Sequence, residues 1–201
     1  MEPREAATIV LARPAVEGIE VLILTRTEGS SFLPGFAVFP GGAIDPGDHL
    51  LASRLFNNPS EAARACAVRE LYEETGILLT RNGAMSRAPE VPLESMLFDP
   101  PPARRLVEIA RWIAPESLEV RFDARFFAIP APEGIEPIPD GVEVSAARWE
   151  TPQQVLKAVG RGDEQVMWPT LVTLQALADC REVADVLELR VEQIPHPDAA
   201  Q

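Results

Sequence analysis

Cysteine, lysine and histidine are scarce in this chain of 201 residues. The only thiols are Cys66 and Cys180, 114 positions apart, which is too few for a disulfide framework or a cysteine-rich metal site. Lys157 is the single lysine beside 17 arginines, and these face 31 acidic residues, for a net charge of −13. Such a surface repels a nucleic-acid backbone, so no nucleic-acid partner is expected. Apolar runs fall short of the roughly 18 residues that a membrane span needs, and none is expected. Met1-Glu2-Pro3-Arg4-Glu5 lacks the basic-then-apolar pattern of a signal peptide, and Asp198-Ala199-Ala200-Gln201 is no peroxisomal address. A cytoplasmic protein is the default expectation. Hydrophobic residues at 46% and charged residues at 24% exclude disordered and fibrous classes and predict one folded domain over residues 1–201.

Prolines and glycines punctuate the chain. Thr8–Ala12 and Val21–Thr25, both β-branched and apolar, read as an antiparallel pair around the Pro14–Gly18 turn. Ala37-Val38-Phe39 is a short strand ending at Pro40-Gly41-Gly42. The stretch 45–58 mixes turn signals with a short apolar piece and reads as an excursion from the sheet with about one helical turn. Asn58-Pro59 opens a helix and Gly76 closes it. Ile77–Leu79 reads as extended, 88–102 as irregular and Ala103–Ile113 as helical. Arg121–Ile129 and Val142–Trp149 read as strands, Pro130–Gly141 as a loop, and Pro152–Val159 and Pro169–Ala178 as C-terminal helices.

The segment from Glu61 to Ile77 carries the chemistry. With Glu70 at 0° on a helical wheel, Glu73 falls at about 300° and Glu74 at about 40°, so the three carboxylates share one face. Val68, Leu71, Tyr72 and Thr75 lie opposite and form the core stripe. Like charges at this spacing repel, and the carboxyl end of a helix disfavours anions. Two readings fit that geometry: a solvated, charge-laced helix, the commoner case, or a site in which a hard divalent cation turns repulsion into binding.

The string itself is more specific. Glu61, seven residues, Arg69-Glu70-Leu71, one residue, Glu73-Glu74, one residue, Gly76-Ile77 resembles the Nudix box, G-x(5)-E-x(7)-R-E-U-x-E-E-x-G-U with U bulky and aliphatic. The resemblance implies an α/β fold, an α/β/α sandwich with a mixed sheet, and hydrolysis of a nucleoside diphosphate linked to another group. It implies that Glu70, Glu73 and Glu74 hold Mg2+ or Mn2+, that Arg69 orients the glutamates, and that Gly76 gives the tight exit from the helix. Glu61 is expected at the helix mouth in a supporting role, or simply as a first-turn acid complementing the dipole. The pattern's opening glycine would fall at position 55, which is Leu55; between Gly42 and Glu61 stand 18 residues where the pattern has five. This insertion is expected to leave the metal-binding half of the box untouched and to bear on substrate choice.

Leu24-Thr25-Arg26, Phe39-Pro40-Gly41-Gly42, the Arg121–Phe127 stretch, Arg148-Trp149 and Trp168-Pro169-Thr170 are similar to the acyl-CoA diphosphatase-like branch of that family. Phe126, Phe127 and Trp149 also fit plain core packing. The branch implies CoA or acyl-CoA as substrate, with 3',5'-ADP and (acyl-)phosphopantetheine as products. Gly41, Gly42, Arg26, Arg121 and Arg125 are the candidate substrate contacts, each arginine being either a phosphate fork or a surface ion-pair partner. The rivals are another Nudix activity, on ADP-ribose, NADH or dinucleotide polyphosphates, and a non-catalytic nucleotide-binding domain. The intact glutamates argue against the latter. The general base is sought among Glu133, Glu136, Asp140 and Glu143, with Glu143 chosen because it opens a strand after the proline-rich loop. A homodimer is compatible with the sequence.

Overall fold

The computed structural model describes residues 2–81, 83–86, 93, 99–118, 120–131 and 134–195. Glu133 and most of the 88–102 stretch lie outside them. Nine strands and five α-helices are described: β1 (Arg4–Pro14), β2 (Ile19–Arg26), β3 (Ala37–Val38), β4 (Gly41–Ala43), α1 (Pro46–Phe56), α2 (Ala62–Thr75), β5 (Ile77–Thr80), β6 (Gly83–Ser86), β7 (Val107–Ile113), β8 (Phe122–Pro130), β9 (Val144–Glu150), α3 (Pro152–Arg161), α4 (Trp168–Leu177) and α5 (Val183–Glu188).

Seven strands form one mixed sheet in the order β3-β2-β1-β8-β7, with β4 also on β1 and β9 also on β2; β5 and β6 pair separately. β1 and β8 run parallel through nine residue pairs, and the remaining pairs are antiparallel. β1 is central and buried on both faces, which is why Ile9-Val10-Leu11-Ala12 is a continuous apolar run rather than an alternating one. Its alternate side chains enter two cores. Ile9 and Leu11 pack with Leu22, Leu24 and Phe127 against α1 and α2. Val10 and Ala12 pack with Val21, Ile23 and Phe126 against α3, α4 and α5. Helices on both faces of a mixed sheet make the expected α/β/α sandwich. Each large side chain wholly buried there, such as Leu22, Leu71 or Phe127, stabilises the fold by about 1.5–3 kcal/mol.

Two expectations are corrected. The stretch 45–58 does stand outside the sheet, but it is an 11-residue helix rather than a single turn. Its turn-like residues are helix boundaries: Asp45 is the N-cap, Pro46 occupies the first turn, and Asn57 closes the helix in the left-handed region at φ 54°. Leu51, Ala52 and Leu55 then fall on one buried face. The 103–113 stretch is not a helix. Ala103–Arg105 is a short 3-10 turn, and Val107–Ile113 is β7, paired along β8. A bulge between Glu108 and Ala110 breaks the alternation of this strand, burying Ile109 and Ala110 in succession and giving the sequence a false helical period.

Candidate active site

Helix α2 begins where the chain can be capped. The Asn58 side-chain oxygen accepts the Ser60 N–H at 3.1 Å, a 3-10 turn spans Pro59–Glu61, and α2 proper runs from Ala62. Glu61 is therefore at the mouth of the helix, where it pairs with Arg64. At the other end Gly76 sits at φ 65°, where a side chain would be strained, and donates its N–H to Tyr72 O at 2.7 Å. Val68, Leu71, Tyr72 and Thr75 are buried against the sheet.

The acidic face is less open than its wheel suggests. Glu73 is half exposed at 52%, but Glu70 retains only 15% of its side-chain surface, and Glu74 is 3% exposed. The cover is β4, a strand made of Gly41, Gly42 and Ala43. The Gly41 N–H donates to Glu74 Oε2 at 3.0 Å. A methyl group on Gly42 would stand 2.2 Å from Glu70 Oε1, so only glycine lets the carboxylate lie against the strand.

Arg69 ties these groups together. Its Nη1 donates to Glu70 Oε1 at 2.8 Å and to Glu73 Oε2 at 2.9 Å. On its other edge Nε and Nη2 donate to the two oxygens of Asp48 at 2.8 and 3.0 Å. Burial works against the charged guanidinium, but the bonds to Asp48 and the charge of Glu70 outweigh it and raise its pKa. Burial pushes the Glu70 carboxyl up to about 7 despite the opposing charge and bonds of Arg69. Burial, followed by the Glu70 charge, holds Glu74 well above the ordinary carboxylate range. The Cys66 thiol is raised by the same burial and acidic surroundings and is inert.

Beyond the box, Arg26 and Glu143 approach from the sheet side. Arg26 Nη2 lies 3.7 Å from Glu143 Oε2, and the charges of both are felt at Glu74. The Glu143 backbone is held on both sides. Its N–H donates to the Asp140 carboxylate at 3.2 Å and its carbonyl accepts the Thr27 N–H at 2.9 Å. The Asp140 N–H in turn donates to the Glu74 carbonyl at 3.3 Å, so the loop is fastened to α2. Arg69, Glu70, Glu73, Glu74, Gly41, Gly42, Arg26 and Glu143 thus form one neighbourhood. Arg125 lies two strands from Gly42, pairs with Glu108 and stacks on Phe127. Arg121 donates to the Ala114 carbonyl at 3.1 Å. Two aspartates were not anticipated in these roles. Asp48 had a signal in the sequence, the Asp-Pro-x-Asp pattern of a helix start; Asp140 had only its place in a loop.

The donor set suits a hard cation: the buried Glu74, the largely covered Glu70 and a third carboxylate at the rim, all oxygen, with burial opposing the ionisation of the first two until a charge compensates. Among the described residues no three His, Cys, Asp or Glu side chains converge tightly enough to enclose an ion as they stand. Arg69 and the Gly41 N–H engage the oxygens that would turn toward one.

The family model for the NUDIX domain matches residues 2–169. The chain belongs to the Nudix family. A candidate nudix hydrolase 7 of Caenorhabditis elegans is 28% identical over 89% of this chain and 62% of its own length, so the chain spans less than two thirds of that relative. The acyl-coenzyme A diphosphatase NUDT19 of Homo sapiens is 23% identical over 91% of this chain and 70% of its own length. The crystal structure of a NUDIX hydrolase from Alicyclobacillus acidocaldarius superposes with a TM-score of 0.81 at 30% identity, covering 95% of this chain and 98% of that one. This Nudix chain has, among its described residues, no helix long and apolar enough to cross a membrane.

Proposed function

We propose that this Nudix chain hydrolyses the diphosphate linkage of CoA or an acyl-CoA to 3',5'-ADP and (acyl-)phosphopantetheine, with Glu70, Glu73 and Glu74 holding Mg2+ or Mn2+. The observation that carries the hydrolase reading is the pair of carboxylates, Glu70 and Glu74, lying against a glycine strand with Arg69 beside Glu70. The CoA reading is supported by the similarity to NUDT19 and by the insertion between Gly42 and Glu61.

Bound Mg2+ or Mn2+ supplies charge neutralisation at the diphosphate oxygens and a more acidic water. The protein's part is positional. Gly42, lacking a side chain, lets the Glu70 carboxylate lie against β4, and the Gly41 N–H holds that of Glu74. Arg26 offers a guanidinium at the same place for the phosphate oxygens, and Arg121 and Arg125 are more distant contacts for the rest of the substrate. Glu143 accepts the proton of the water as its oxygen attacks phosphorus and the bridging P–O bond breaks; its fixed backbone and exposed carboxylate suit that role. Glu61 and Gly76 support the helix ends.

The test is a substrate panel of CoA, acyl-CoA, ADP-ribose, NADH and dinucleotide polyphosphates with Mg2+ or Mn2+, products identified by mass. Preferential release of 3',5'-ADP is expected. Preference for another diphosphate would reject the CoA assignment, and no turnover of any would reject the hydrolase reading.

A further inference from the structure

We propose that Asp48, on the inserted helix α1, is the positioning residue of the glutamate cluster: it fixes Arg69, so that only Nη1 reaches Glu70 and Glu73. This rests on the metal-binding role proposed above for those glutamates.

Every donor of the Arg69 guanidinium has an acceptor. A guanidinium has five N–H groups in a rigid plane. Arg69 spends Nε–H on Asp48 Oδ1 and one Nη2–H on Asp48 Oδ2. The second Nη2–H is shared between the Ala43 carbonyl at 3.3 Å and Cys66 Sγ at 3.5 Å. Both Nη1 hydrogens serve Glu70 and Glu73. Asp48 is equally committed. Its Oδ2 also accepts the Asp45 N–H at 2.8 Å at the start of α1, and it is 1% exposed. A buried carboxylate bonded along one edge of the guanidinium fixes the direction of the opposite nitrogen. It also balances the Arg69 charge, so that a cation held by the glutamates does not face an unpaired positive neighbour. Glu61, the first glutamate of the box, is engaged with Arg64, and Asp48 is the carboxylate that anchors Arg69 from its other edge. The insertion is therefore joined to the metal-binding half of the box, contrary to the expectation that it leaves that half untouched.

With Asp48 reduced to a single acceptor, Arg69 is free to turn farther onto Glu70 and Glu73 and competes with the cation. The experiment is a titration of D48N with Mn2+, free ion followed by electron paramagnetic resonance, beside the wild type and L55A. Leu55 packs α1 on the core, so L55A lowers the melting temperature and leaves Mn2+ affinity unchanged. D48N is expected to weaken Mn2+ binding by about 10–100-fold, the usual scale for a residue that orients metal ligands. Wild-type affinity in folded D48N would overturn the inference. A wild type that takes up no Mn2+ would instead overturn the metal reading beneath it. Should D48N not fold, nitrogen-15 spectra of the wild-type protein decide: the Arg69 Nε–H stays protected from solvent exchange with and without Mg2+ if Asp48 keeps hold of it. Loss of that protection on adding Mg2+ would refute the anchor.

Discussion

Gly41 and Gly42 are neighbours in β4, and the structure predicts opposite consequences for a methyl group on each. On Gly41 it would stand 2.5 Å from the Ala7 carbonyl oxygen and 2.8 Å from Thr8 Cα, both backbone atoms of the central strand. Neither can yield without moving β1, and forcing extra volume into a packed interior costs about 1–3 kcal/mol. The loss of chain entropy in the unfolded state returns only about 0.4–1 kcal/mol. On Gly42 the methyl would meet Glu70 Oε1 at 2.2 Å, the far end of a side chain that can swing aside. There the entropic gain offsets most of the cost, and the damage passes to Glu70. Thermal melts followed by circular dichroism should show G41A less stable, by ~2–4 °C per kcal/mol for a chain of this size, with G42A near the wild type. Turnover should show G42A down by on the order of 100-fold, the scale for misplacing a reacting group by about 1 Å. Normal turnover in G42A, or wild-type stability in G41A, would refute the packing of β4 against the site.

Stability of the metal-free protein should depend on pH in a definite sense. Glu70, raised by burial to about 7, and Glu74, raised well above its ordinary value, hold protons in the folded state that the unfolded state has released. Their contribution is full below the ordinary carboxylate pKa and is lost as pH rises through about 7, the Glu70 value. Melts in EDTA from pH 5 to 8 should fall accordingly, and Mg2+ should restore more stability at the alkaline end; a flat profile would count against the buried carboxylates. Glu74→Gln should keep the fold and lose more than about 100-fold in activity, beyond the effect of outer residues around a metal; near-normal turnover with saturating metal would remove it as a ligand. Glu143→Gln should cut turnover by roughly 10²–10⁴-fold, the scale for a positioned base, and an unchanged rate would move the search to Glu70 and the loop acids.

The central strands and the α2 helix were legible in the sequence because each satisfies one strong local rule. β1 and β2 are β-branched runs bounded by turn residues, and α2 has a cap, a buried stripe and a closing glycine. The features with no local signal share a physical cause. Asp45-Pro46-Gly47-Asp48 has the composition of a turn and the geometry of a helix start, and only the burial of Leu51, Ala52 and Leu55 decides between them. In β7 the bulge at Ile109 and Ala110 exists because β8 is alongside, a fact no local window contains. Burial of Glu74 was likewise invisible: its wheel position marks it as exposed, and β4 covers it from a distant part of the chain.

The places where this chain departs from good folding practice coincide. Three acids sit toward the carboxyl end of α2, where the helix dipole disfavours them. Two glycines stand in β4 beside the central strand, where glycine loses more conformational freedom on folding than any other residue. Arg69, largely covered, forms an ion pair with the buried Asp48, which returns little net stability over an apolar pair of similar volume. Any one of these would be unremarkable alone. Yet Gly41 bonds Glu74, Gly42 borders Glu70, and Arg69 bonds Glu70, Glu73 and Asp48. Costs placed on one set of contacting atoms are expected where chemistry, rather than folding, sets the residue choice. Asp48 belongs to that set although it lies outside the box pattern, which places the inserted helix within the site rather than beside it.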